Sequence, residues 1–199
     1  LFAEDRFRAI RQDFIILDQK GNKACIESHE KIARFLILCL NECLDYPAFT
    51  GHQGLYKLIV TQLNATLTSL RDFYEYTTHR ENGYISPNMA EFYSYSVLLS
   101  IQDKFDLSSM LNKIPDNLRS TEYVTNCKRI VRSILGKDFL SYFNYLKKVD
   151  YLTACLMTIY IKDMRIEALN LITSPNNKIA DSLYRNSLTR LTDLFFFED

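Results

Sequence analysis

Glycine and proline are scarce in this chain, with five and four among 199 residues. All-β folds draw heavily on both for their tight turns, so the scarcity argues against an all-β domain. Net charge is also missing, because 24 Lys and Arg balance 24 Asp and Glu. A general electrostatic footprint for nucleic acid is thereby excluded, and any such site must be a local patch. No CxxC pair occurs among the five cysteines, Cys25, Cys39, Cys43, Cys127 and Cys155. Their odd count and mostly apolar surroundings read as free thiols in a reducing compartment. In that compartment the Asn64-Ala65-Thr66 sequon stays unused. Long apolar runs are lacking too: Phe35–Leu40 stands out, far below the ~20 residues that cross a bilayer, so no membrane insertion is expected. No secretory leader pattern opens the sequence, and Leu1 reads as an internal position of a longer protein.

What is present suits a globular helical protein. Hydrophobic residues make up 47% and charged residues 24%, and a chain of this length buries enough surface to fold without metal or disulfide. Ala3, Phe7, Ile10, Phe14 and Leu17 recur at spacings of three and four, giving a first helix one apolar stripe that ends at Gly21-Asn22. A second helix over about 23–44 is apolar on nearly all sides near Phe35–Leu40 and is expected at the centre of the packing. A third covers about 55–78. Ser86 as N-cap and Pro87 at the first helical position start a fourth, which runs to Ile101. Shorter helices follow over 107–114, 122–135, 139–146, 151–161, 164–172 and 188–195. The fold class is therefore all-α: antiparallel helix hairpins stacked as a helical-repeat solenoid. Residues 1–163 form the helical-repeat domain, and the short segments of 164–199 suit a small helix-turn-helix-like unit.

No catalytic or metal-binding set emerges. His29, His52 and His79 are far apart in sequence and lack Cys or carboxylate partners at ligand spacing. Gly51-His52-Gln53-Gly54 lacks the Lys and Ser or Thr of a phosphate loop. Cys39 and Cys43 are one helical turn apart, but no second pair accompanies them. The chain reads as a non-enzyme with no cofactor. Lys128, Arg129 and Arg132 cluster on one helix face and read as a solvated surface first, a phosphate patch second.

One stretch is far more specific. Asp5-Arg6-Phe7-Arg8-Ala9-Ile10-Arg11-Gln12-Asp13 resembles the motif D-R-x-R-x-I-R-Q-D, which opens the helical domain of the Sac-three/GANP family. The segment His29-Glu30-Lys31-Ile32-Ala33-Arg34 is similar to that family's x-E-R-I-x-R helix, with Lys31 in place of Arg. Ala90-Glu91-Phe92-Tyr93-Ser94-Tyr95 resembles its E-F-x-x-Y helix. The runs Met164-Arg165 with Ala168-Leu169, and Ser187-Leu188 with Leu191 and Leu194-Phe195, resemble the start of its C-terminal winged helix.

The resemblance implies a PCI-type architecture, in which helical repeats lead into a winged helix. It also implies a nuclear mRNA-export scaffold at or near the pore, with pore association supplied by regions outside this chain. A second PCI-domain subunit and a small acidic subunit are the implied partners, and RNA is bound once the PCI partner is present. A complete winged helix needs a recognition helix and a β-hairpin beyond Asp199, so the RNA surface that lies there is not carried over. Within the chain, Lys162, Arg165, Lys178, Arg185 and Arg190 are the RNA-contact candidates. Leu188, Leu191, Leu194, Phe195 and Phe196 are candidates for partner contact, although a role in the core of the terminal unit is preferred for the Phe run. Helical geometry assigns Asp5, Arg6, Arg8, Arg11, Gln12 and Asp13 a structural task. They are expected to clasp the first helix to carbonyls and acidic groups of later helices rather than to grip phosphate. A PCI subunit of a proteasome-lid-like or initiation-factor-like assembly, without an RNA role, is the alternative.

Overall fold

In a computed structural model of the chain, the described residues are 2–44, 53–173 and 195. Among them every regular element is helical. The eight α-helices are α1 (Phe2–Ile16), α2 (Lys23–Leu44), α3 (Gln53–Thr78), α4 (Met89–Leu99), α5 (Lys104–Asn112), α6 (Glu122–Leu135), α7 (Phe139–Leu146) and α8 (Tyr151–Thr173), with a 3-10 turn at Asp116–Leu118. The chain divides into two compact units, Leu1–Thr125 and Asn126–Asp199.

In the first unit α1, α2 and α3 run antiparallel to their neighbours. Phe7 meets Phe35 with ring centroids 5.1 Å apart, while Phe14 meets His29 at 6.1 Å, so α1 and α2 descend in opposite senses. Tyr74, near the end of α3, bonds to Glu30 near the start of α2. The apolar stripe of α1 is narrower than its spacing suggests. Phe7 and Phe14 are half-buried, whereas Ile10 and Leu17 are exposed.

The helix that is buried on all sides is α4, not α2. Every residue of α4 from Met89 to Leu98 is buried, including Glu91, Ser94 and Ser96. Ser94 and Ser96 return their hydroxyls to the carbonyls of Ala90 and Phe92, at 2.8 and 3.0 Å, so neither is an unpaired polar group in the core. On α2, by contrast, Phe35 is 41% exposed. The core around α4 is built from Ile26, Ile37, Leu40, Leu63, Leu67 and Leu70.

Ser86 does not cap α4, which begins at Met89. Its hydroxyl accepts from the Asn88 N–H at 3.1 Å and donates to Glu30 at 2.5 Å, and a buried carboxylate is the stronger competitor for that hydroxyl. The turn that delivers Ser86 is pressed against α3: a Cβ at Gly83 would fall 1.8 Å from the Thr77 carbonyl oxygen. Only glycine permits that approach.

The second unit packs α7 on α8. Tyr142 donates to the Met157 carbonyl at 2.6 Å, and Phe143 sits edge-on to Tyr142 at 5.2 Å. Phe195 is fully buried against Phe139 and Phe143, at 5.9 and 5.4 Å. The helix expected to break after Ile161 is continuous from Tyr151 to Thr173. Lys162 and Asp163 are simply exposed on its surface, and neither removes a backbone hydrogen bond.

Lys137, in the left-handed region at φ 55°, turns the chain out of α6. The next residue, Asp138, caps α7 by accepting the Ser141 N–H at 3.1 Å. Those bonds to Ser141 hold its carboxyl below the ordinary value of 3.8. A carboxyl depressed on folding stabilises above its unfolded value and stops doing so as pH falls through the folded one. Asp138→Ala is therefore expected to cost about 1 kcal/mol at neutral pH. Urea denaturation across pH checks this: the gap from wild type closes below about pH 4.

Candidate functional site

Among the described residues of the first unit two carboxylates are buried, Glu30 and Glu91, and they lie on neighbouring elements. Glu30 on α2 is 2% exposed, and an unpaired carboxylate there would be prohibitively costly. It is not unpaired. Tyr74 of α3 donates to its Oε1 at 2.8 Å, Ser86 to the same oxygen at 2.5 Å, and Asn88 Nδ2 to Oε2 at 2.8 Å. Burial, and then the Glu30 charge, push the Tyr74 phenol far above its ordinary range, so it remains a donor at every physiological pH.

One turn further along α2, Arg34 forks onto Glu91 of α4. Nε meets Oε1 at 2.8 Å and Nη2 meets Oε2 at 2.7 Å, with the guanidinium carbon 5.0 Å from the Phe92 ring centre. This bidentate fit is particular to arginine. The bond to Glu91 outweighs burial and raises the Arg34 pKa further. Glu30 and Arg34 come from one sequence motif and Glu91 from another, 57 residues from Arg34. The structure brings the two motifs together.

Between Phe14 and Phe73 lies His29, fully buried. Its Nδ1 is 2.8 Å from the Cys25 carbonyl, which can only accept, so Nδ1 carries the hydrogen and Nε2 is bare. Nε2 has no partner among the described residues. Burial, with the Arg11 charge adding to it, lowers the His29 pKa and keeps the ring neutral. Burial also pushes the Cys25 thiol up to about 11 and the Cys127 thiol up to about 12, so neither is an activated nucleophile.

The opening motif divides by exposure. Arg11 is half-buried and reaches α3, where Nη1 donates to Thr66 Oγ1 at 2.7 Å and to the Gln62 carbonyl at 3.3 Å, and Nη2 to the Gln62 side-chain oxygen. Asp5, Arg6, Arg8, Gln12 and Asp13 have exposed side chains on the same helix. Of the RNA-contact candidates, Lys162 is exposed on α8, and Arg165 is half-buried with Nε donating to the Phe195 carbonyl at 2.9 Å. Lys178, Arg185, Arg190, Leu188, Leu191, Leu194 and Phe196 lie outside the described residues. Phe195 has no exposed surface. Lys128, Arg129 and Arg132 are all exposed on α6. Among the described residues no three His, Cys, Asp or Glu side chains are placed to hold a metal ion, and no helix is long and apolar enough to cross a membrane.

A family profile described as the SAC3/GANP family matches residues 1–199. The chain belongs to the SAC3/GANP family. It is 29% identical over 177 residues to SAC3 family protein B of Arabidopsis thaliana, and 27% identical over 187 residues to SAC3 family protein 1 of Schizosaccharomyces pombe. Each alignment covers 84% of this chain but only 10% and 18% of those relatives. The similarity thus concerns one segment of much longer proteins.

Sequence reasoning marked Glu30, Arg34 and Glu91 as parts of family motifs without giving them a task. The signal was available: Glu91 is a carboxylate flanked by Ala90 and Phe92 in a helix of apolar and aromatic residues, and burial there demands a partner. What spacing could not show was which cation, among many, supplies it.

Two expectations follow. Arg34→Met strands the Glu91 charge and should cost about 2–3 kcal/mol, below the range for a fully buried pair because the Arg34 side chain is 32% exposed. Adding Glu91→Leu should recover part of that loss, so a double-mutant cycle on urea midpoints reads the coupling. Arg11→Ala should raise amide exchange across α1 while α2 and α4 stay protected, as read by hydrogen exchange.

Proposed function

We propose that this chain is a non-catalytic scaffold segment of a nuclear mRNA-export complex, acting at or near the nuclear pore. The family match over residues 1–199 carries the reading. The placement of these charged groups supports it, because they serve packing: Glu30 is bonded to α3 and to the turn before α4, and Arg34 to Glu91 of α4. A scaffold needs a fixed shape more than a reactive side chain, and such a network fixes one.

In this reading residues 164–199 begin a winged-helix unit that follows a helical-repeat domain. The chain pairs with a second PCI-domain protein, together with a small acidic subunit, through Leu188, Leu191, Leu194 and Phe196. Phe195, buried against Phe139 and Phe143, anchors that segment from the inside. Lys162, Arg165, Lys178, Arg185 and Arg190 contribute to an RNA surface that is completed by the partner's basic residues. A chain of zero net charge gains little from long-range attraction to phosphate, so joining two basic patches raises affinity more than either patch alone.

Fluorescence anisotropy with single-stranded RNA tests the proposal. The chain alone should bind weakly at about 0.15 M salt, where surface charges are screened beyond ~8 Å. Addition of the PCI partner should tighten binding, with a steep salt dependence. Tight, salt-insensitive binding by the chain alone would overturn the shared surface. Partner association with no gain in RNA affinity would favour the alternative, a PCI subunit without an RNA role.

A further inference from the structure

Three arginines in the first unit are half-buried: Arg11, Arg34 and Arg71. Arg34 has Glu91, and Arg11 has the oxygens of Gln62 and Thr66. Arg71, on α3, is placed differently. Its Nη2 donates to the Thr68 hydroxyl at 3.1 Å, and its Nη1 rests on the Met110 thioether, a weak acceptor. The Nε–H is buried and has no partner among the described residues. Asp72 and Asp106 act on it only through space, and among the described residues Arg71 forms no salt bridge. A guanidinium cannot shed its charge to escape this position.

Arg71 borders a cleft of about 440 Å³, within the size range of ligand sites. One wall is α3, with Asp72 and Glu75 exposed beside Arg71. Met89 and Tyr93 of α4, both buried, line it as well, together with Lys113. The cleft therefore offers a guanidinium with no salt bridge among the described residues, two buried side chains of α4, two carboxylates and an ammonium.

We propose that this cleft docks a peptide segment of a partner protein in which an acidic side chain is followed, after an apolar residue, by a basic one. The acidic side chain would receive two parallel N–H donors from Arg71, the geometry that guanidinium and carboxylate share. The apolar residue covers Met89 and Tyr93. The basic residue faces Asp72 and Glu75. The lining carries both signs, Arg71 and Lys113 against Asp72 and Glu75, so it matches a segment that brings an acid and a base together better than a ligand of one sign. The inference concerns the unit Leu1–Thr125 and stands independently of any RNA role.

An array of fluorescein-labelled nine-residue peptides tests it with the full 199-residue chain. The peptides place one Asp, one Leu and one Lys in every order on an Ala/Ser background, and anisotropy reports binding. Peptides in the order acid, apolar, base should bind, and Arg71→Lys should weaken them about tenfold, because an ammonium keeps the charge but loses the fork. Glu75→Lys, on an exposed residue, should weaken the same peptides and strengthen a variant carrying two Asp. This second substitution keeps the test open should Arg71→Lys lower the melting temperature. The proposal is overturned if no ordered peptide exceeds the Ala/Ser background, if both substitutions leave binding unchanged, or if pyrophosphate competes as well as unlabelled peptide does.

Discussion

The Glu30 carboxylate is the constraint on which the first unit depends. It is almost without solvent, and it is held by donors from three places: Tyr74 on α3, Ser86 in the turn and Asn88 at the entrance to α4. A carboxylate so buried accepts only an arrangement that delivers all its donors. The relative placement of α2, α3 and the start of α4 is thus a single decision. The Arg34–Glu91 fork, one turn along α2, repeats the demand for α4 itself. Apolar packing around Leu63, Leu67 and Leu70 tolerates sliding by a turn far better than these bonds do. The network contributes alignment more than net stability, since buried ion pairs roughly offset their own desolvation.

The helices were legible where apolar spacing alone decides. The bounds of α2 and α7 follow from periodicity and the breakers that flank them. Reading failed where a tertiary partner outcompetes a local signal. Ser86-Pro87 has the local chemistry of a helix start, but a buried carboxylate takes the Ser86 hydroxyl, and α4 begins at Met89. Lys162-Asp163 looks like an interruption, yet a charged pair on the solvent side of α8 costs the helix nothing. The apolar run Phe35–Leu40 pointed to α2 as the central helix. The helix buried on all sides is α4 instead, because its serines bond back to their own helix and Glu91 finds Arg34.

The same limit governs the site residues. The opening motif could be recognised in sequence as a dense set of charges, but only the three-dimensional arrangement shows that Arg11, one of its three arginines, spans to α3. Asp5, Arg6, Arg8, Gln12 and Asp13 are exposed on the same helix. A motif can therefore be diagnostic of a family while its members carry unequal mechanical weight. Glu30, Arg34 and Glu91, from shorter and less distinctive segments, are the motif residues whose carboxylates and guanidinium are tied across helices in the first unit's core.

Arginine is the residue through which these roles can be compared, because its charge and shape are constant and only its surroundings vary. At Arg34 the fork closes on a carboxylate of its own chain, and the result is architecture. At Arg11 it closes on a carbonyl, an amide oxygen and a hydroxyl, which tie a half-exposed helix to its neighbour. At Arg71 it faces a hydroxyl and a thioether with Nε left over, beside an open cleft. A polar group that is buried without its partner costs stability. The peptide carboxylate proposed for the cleft would give the Arg71 guanidinium the counter-charge that Asp72 and Asp106 supply only at a distance. Recognition in this unit is then the same chemistry that holds it together, with the carboxylate supplied from outside.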